Sequence, residues 1–142
     1  MIATMPKAAR RARLVVLVLG VVYLALAVAG IVVVGWGEIR ESDPAQLFGV
    51  LGVSRLLDIA HAVLAAGALL AAVRGAPTAF AAVATVAFTA MAAFGLVAEV
   101  VGDAGDPLHM TWWNVGLYLL SALTCLYVYT LRVKAQEEGN HG

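Results

Sequence analysis

The sequence predicts an all-α fold, a four-helix antiparallel transmembrane bundle with both termini cytoplasmic, on three observations. Hydrophobic residues make up 63% of the chain and charged residues only 13%, against roughly 45–50% and 25% in soluble domains. Four stretches approach the roughly 20 residues that a helix needs to cross a hydrocarbon core about 30 Å thick. Basic residues collect at alternate connections, which sets orientation. The 142 residues are expected to form a single integral membrane domain.

Helix one is placed at 14–35, an uncharged run after Lys7, Arg10, Arg11 and Arg13. That basic start and Ala27-Val28-Ala29 have the look of a signal peptide with its cleavage site. The apolar run continues through Ile31–Val34, however, and further spans follow, so an uncleaved helix is expected. Helix two, 54–73, carries Arg55, Asp58 and His61 in its first two turns and is apolar from Ala62 onward. Arg74-Gly75-Ala76-Pro77 is a turn signal, so helices two and three are read as a hairpin. Helix three, 78–101, is rich in Ala, with one acid, Glu99, near its end. Helix four, 111–131, opens on Trp112 and Trp113 and carries Tyr118, Tyr127 and Tyr129, read as interfacial aromatics. A polar tail, 132–142, closes the chain.

With the N-terminus inside, Lys7, Arg10, Arg11, Arg13, Arg74, Arg132 and Lys134 all fall on the cytoplasmic side, leaving Arg40 and Arg55 outside. Glu38, Glu41, Asp43, Asp103 and Asp106 then lie in the outer connections, and Leu47–Leu51 is apolar enough to form a short interfacial segment.

Composition also excludes. Nine Lys and Arg against nine Asp and Glu leave no basic field for nucleic acid. The single cysteine, Cys125, permits neither an internal disulfide nor a Cys-x-x-Cys site. No nucleophile–base pair, glycine-rich phosphate loop or His-Glu-x-x-His motif is present, so no catalytic residue, metal or cofactor is assigned.

Chemistry, if any, falls to the candidate polar cluster of Arg55, Asp58, His61, Glu99 and His109. Arg55, Asp58 and His61 share one helical stripe, which must face protein or water rather than lipid. Folding helices two and three about Gly75 brings Glu99 near the depth of Arg55, where the two are expected to pair as a structural clamp. The competing reading is a proton or ion pathway, with Asp58 orienting the His61 ring. Haem needs a second histidine at matching depth, and His109 lies about 10 Å away by helical rise. A metal set of Asp58, His61, Glu99 and His109 is chemically allowed but has the spacing of no established motif. A helix-packing histidine is the leading reading of His61.

Asp58-x-x-His61 and Asp106-x-x-His109 form a weak internal echo. Small residues at Ala81, Thr85, Thr89 and Ala93, at Ala25, Ala29 and Gly30, and at Gly67, Ala68 and Ala72 offer faces for close helix approach. Asn114, Ser121 and Thr124 are expected to hydrogen-bond between helices.

Gly20-Val21-Val22-Tyr23-Leu24 running into Gly30-Ile31, Leu57-Asp58-Ile59-Ala60-His61, and Asp106-Pro107-Leu108-His109 together resemble a family of small four-span actinobacterial membrane proteins, a domain of unknown function. Asp58 stands where that family usually has Asn. The DoxX-like four-helix membrane proteins are similar in size and topology. The resemblance implies an integral plasma-membrane protein and no particular substrate.

The expected function is a non-enzymatic accessory or assembly subunit that contacts the lipid bilayer and, laterally, other membrane proteins or copies of itself. The alternatives are a small proton-coupled transporter using Asp58, His61 and Glu99, and a redox-linked membrane enzyme subunit.

Overall fold

The structure, a computed structural model, describes residues 5–35, 45–102 and 108–141. Four helices, α1 (Lys7–Val34), α2 (Arg55–Arg74), α3 (Pro77–Val101) and α4 (Trp112–Asn140), are joined by a β-hairpin of β1 (Ala45–Leu47) and β2 (Leu51–Val53) between the first two. All four are long and apolar enough to cross a membrane. Trp36, Glu38, Arg40, Glu41, Asp43, Asp103 and Asp106 lie outside the described residues.

Local chemistry sets the ends. Ser54, with extended φ and ψ, accepts a hydrogen bond from Leu57 N at 3.2 Å and starts α2. Gly75 ends that helix in the left-handed region at φ 73°, and Pro77 supplies a first position for α3 that needs no N–H.

The outer two helices run further than their apolar stretches. α1 begins at Lys7 rather than Leu14, and α4 continues through the polar tail to Asn140 rather than stopping at Leu131. Lys, Arg, Gln and Glu are good helix formers, so the apolar run measures the bilayer and not the helix. The two extensions brace one another. Glu138 Oε2 accepts from Ala8 N at 3.2 Å, setting a carboxylate on the positive end of α1.

The buried positions recur at three and four residues, the signature of one helical face. They are Val16, Gly20, Tyr23, Ala27 and Gly30 on α1, and Asp58, His61, Ala65, Ala68 and Ala72 on α2. On α3 they are Ala81, Ala84, Phe88, Ala92 and Gly95, and on α4 Asn114, Tyr118, Ser121, Cys125 and Val128. Two close pairs result, α1 with α2 and α3 with α4, held together mainly where α1 meets α4. Helices α2 and α3 touch little despite their short connection, so the hairpin read from the turn signal is a connection rather than a packing unit.

The small-residue stripe predicted on α3 is also re-drawn. Thr89 and Ala93 are exposed, and Thr85 and Thr89 bond back to Ala81 O and Thr85 O on their own helix at 2.7 Å.

Leu47–Leu51, expected as an interfacial segment, is the tip of the hairpin. Ala45 pairs with Val53 and Leu47 with Leu51. Phe48 and Gly49 take positive φ of 55° and 72°, which lets the chain reverse. Leu47 and Val53 are buried, and Phe48 projects from the tip with 84% of its surface exposed. The hairpin rests on α1 and α4 and covers one end of the bundle. That hairpin end is opposite the terminal end, where α1 starts, α4 ends and the α2–α3 turn lies.

Candidate functional site

Beneath the hairpin the four helices bury a polar cluster. His61 on α2 is 3% exposed, and its Nε2 lies 2.8 Å from the Tyr118 hydroxyl on α4. Tyr23 on α1 shares a 2.7 Å hydrogen bond with Ser121 Oγ on α4. The rings form one aromatic box. Tyr23 meets His61 edge-on at 5.3 Å between centroids, Phe88 of α3 lies 5.0 Å from Tyr23, and Phe88 stacks on Tyr118 at 6.4 Å. Every helix thus contributes one ring, and the two hydrogen bonds tie α4 to both α1 and α2.

Asp58, one turn before His61, is 1% exposed and packs against Gly30, where any Cβ on α1 would overlap its carboxylate. The glycine is what allows α1 to pass so close. Asp58 does not orient the imidazole: among the described residues His61 Nδ1 has no hydrogen-bond partner, and Tyr118 on a different helix fixes the ring from the other nitrogen.

Arg55 at the start of α2 turns toward α1, where its Nε donates to Gly35 O at 2.7 Å. A guanidinium beside the terminal carbonyls of a helix is favourably placed for the dipole. The pairing of Arg55 with Glu99 is not formed. Among the described residues Glu99 makes no ion pair, because α2 and α3 do not pack closely enough to bring it to Arg55.

His109 sits outside any helix, in the residues leading to α4, with φ of 50°. Its backbone matters more than its ring here. The His109 carbonyl presses on Gly52 of β2 so closely that no Cβ fits between them. Among the described residues no three of His, Cys, Asp and Glu gather as a metal site, so the set of Asp58, His61, Glu99 and His109 is not assembled.

Asn114, expected to bond between helices, instead clasps β2. Its Oδ1 accepts from Gly52 N at 2.8 Å, and its Nδ2 donates to Gly52 O at 3.1 Å. Gly52 faces Gln46 in the ladder, and its own peptide groups point to the open edge, where a primary amide supplies the same donor and acceptor as another strand. Asn114 Oδ1 also takes the Thr111 N–H at 2.9 Å, closing the start of α4. Thr124 bonds only to Leu120 O of its own helix, whereas Ser121 does bridge helices.

Tyr118 corrects the aromatic assignment. Tyr127 and Tyr129 are 42% and 45% exposed, but Tyr118 is fully buried. The signal that finds it is its spacing from Asn114, Ser121 and Cys125, which puts all four on one helical face.

Two cavities border the cluster. One, of only about 10 Å³, lies between the hairpin, His61 and Asn114, at the lower limit for a single water. The other, about 200 Å³, opens between α1 and α2 beside Arg55 and Asp58 with an almost wholly apolar lining.

Four membrane-length helices around a polar and aromatic centre define a small multi-pass integral membrane protein of the helical-bundle class. Residues 13–131 match the domain of unknown function DUF4383, and the chain belongs to that family. No curated protein and no solved structure matches it.

Proposed function

We propose that the protein is a non-enzymatic accessory or assembly subunit that associates laterally with other membrane-spanning chains, its termini on the cytoplasmic side of a bacterial inner membrane. The observation that carries this reading is the sparse seam between α2 and α3. Ala60, Leu64, Gly67 and Ala71 follow one another at three and four residues on α2 and are only half-buried, although α3 is tethered beside them and its Phe80 reaches across to Gly67. In lipid, small-residue faces of this kind associate by close packing. The interior polar groups support the same reading, since His61, Tyr118, Tyr23, Ser121 and Asn114 serve to hold the protein's own elements together. The orientation rests on Lys7, Arg10, Arg11, Arg13, Arg74, Arg132 and Lys134 sharing the terminal end.

A photo-crosslinking side chain at Ala71 on the seam, compared with one at Leu24 on α1, tests the proposal in native membranes. A discrete protein adduct of fixed stoichiometry from Ala71 and none from Leu24 is the expected result. Lipid adducts alone from both positions would refute it.

A second reading, a proton-coupled transport unit, is favoured by one feature, the burial of Asp58 beside the cavity between α1 and α2. Asp58→Asn and His61→Gln at unchanged abundance would then abolish proton flux in vesicles. Flux equal to that of the unsubstituted protein sinks this reading.

A further inference from the structure

We propose that the notch at the terminal end of the bundle binds the headgroup of an anionic phospholipid. The notch follows from unequal helix lengths. Helices α2 and α3 turn back at Gly75–Ala76, whereas α1 starts at Lys7 and α4 runs on to Asn140. The long helices overhang the turn, and the step between them encloses about 260 Å³.

Ala12, Pro77 and Leu131 give this space apolar walls, and Arg13 of α1 and Arg132 of α4 line it from two sides. Both arginines are exposed, and neither has an ion-pair partner among the described residues. Two guanidiniums lining one concavity supply the planar, forked donors that the oxygens of a phosphate diester accept. Helix α3 begins at Pro77 without a side-chain cap, so the positive end of its dipole adds to the same field. Lys7, Arg10, Arg11, Arg74 and Lys134 crowd this end of the bundle, and Glu138 is engaged at the start of α1.

Depth and size choose the occupant. The turn of a spanning hairpin lies at the membrane interface, the level of lipid phosphates, and basic pockets between transmembrane helices take acidic headgroups there. The volume is below the roughly 300–1,000 Å³ of sites that enclose a drug-sized ligand. It admits a headgroup and leaves the acyl chains in the bilayer along α1 and α4.

The test uses the full chain in phosphatidylcholine nanodiscs carrying increasing phosphatidylglycerol, with bound lipid counted by native mass spectrometry. Saturable retention of phosphatidylglycerol over phosphatidylcholine is expected. The double substitution Arg13→Gln, Arg132→Gln should weaken it about twenty-fivefold, from about fivefold for each basic residue beside an anionic lipid. Arg10→Gln with Lys134→Gln, which removes the same charge outside the notch, should change it by about twofold or less. Equal losses in the two double variants would mean diffuse attraction and overturn the site. Undiminished binding in the Arg13, Arg132 variant, or equal retention of phosphatidylcholine, would overturn it as well. Displacement of the lipid by millimolar glycerol phosphate would reassign the notch to a soluble anion.

Discussion

Replacing Asn114 with Ala should detach the hairpin from the bundle. The substitution removes the amide that meets both peptide groups of Gly52 and the N–H of Thr111. Gly52 is buried against the His109 carbonyl, so water does not readily take the place of the amide. Each orphaned buried backbone group costs about 1–3 kcal/mol, and the lost closure of the α4 start adds about 1 kcal/mol. The expected destabilisation is therefore about 4 kcal/mol, roughly a thousandfold in the folding equilibrium. Unfolding in mixed micelles can be followed through Trp112 and Trp113, which begin the same helix. Gly116→Ala, two positions along, is the matched control. Nothing lies within 4 Å of a Cβ at that position, so it should be neutral or stabilising by up to about 1 kcal/mol. An Asn114→Ala cost below about 1 kcal/mol would refute the clasp.

Three further outcomes are expected. Gly30→Val drives a side chain into the Asp58 carboxylate, and should lower stability by about 1–3 kcal/mol or more, with Asp58→Ala restoring part of the loss in a double-variant cycle. A cycle of His61→Phe and Tyr118→Phe should return a coupling of about 0.6–1.7 kcal/mol, the range for hydrogen bonds between membrane helices; zero coupling would separate the two side chains. Cys125, fully buried, should resist maleimide in mild detergent and react on unfolding, and rapid native labelling would contradict its place between the helices.

The two kinds of information divided unevenly across the chain. The spans were legible because an apolar run of bilayer length is a one-dimensional property, and Gly75 and Pro77 marked a break that needs no knowledge of neighbours. The helix extensions at Lys7–Arg13 and Arg132–Asn140 were not, because charge ends a hydrophobic run without ending a helix. Tyr118 looked interfacial by residue type, and only its register with Asn114, Ser121 and Cys125 places it inside. The burial of Asp58 and His61 followed from their shared stripe, but their neighbours did not.

By itself the sequence determined that four helices are long and apolar enough to cross a membrane and that seven of the nine basic residues gather at one end, since hydrocarbon thickness and the cost of exposed backbone leave little choice. Tertiary structure alone decided which polar residues meet. Arg55 faces Gly35 and not Glu99, His61 bonds to Tyr118 and not Asp58, and Asn114 holds Gly52, because the pairing of α1 with α2 and of α3 with α4 depends on how closely small residues let helices approach. That approach is a property of facing surfaces, and no order of residues along one helix contains it.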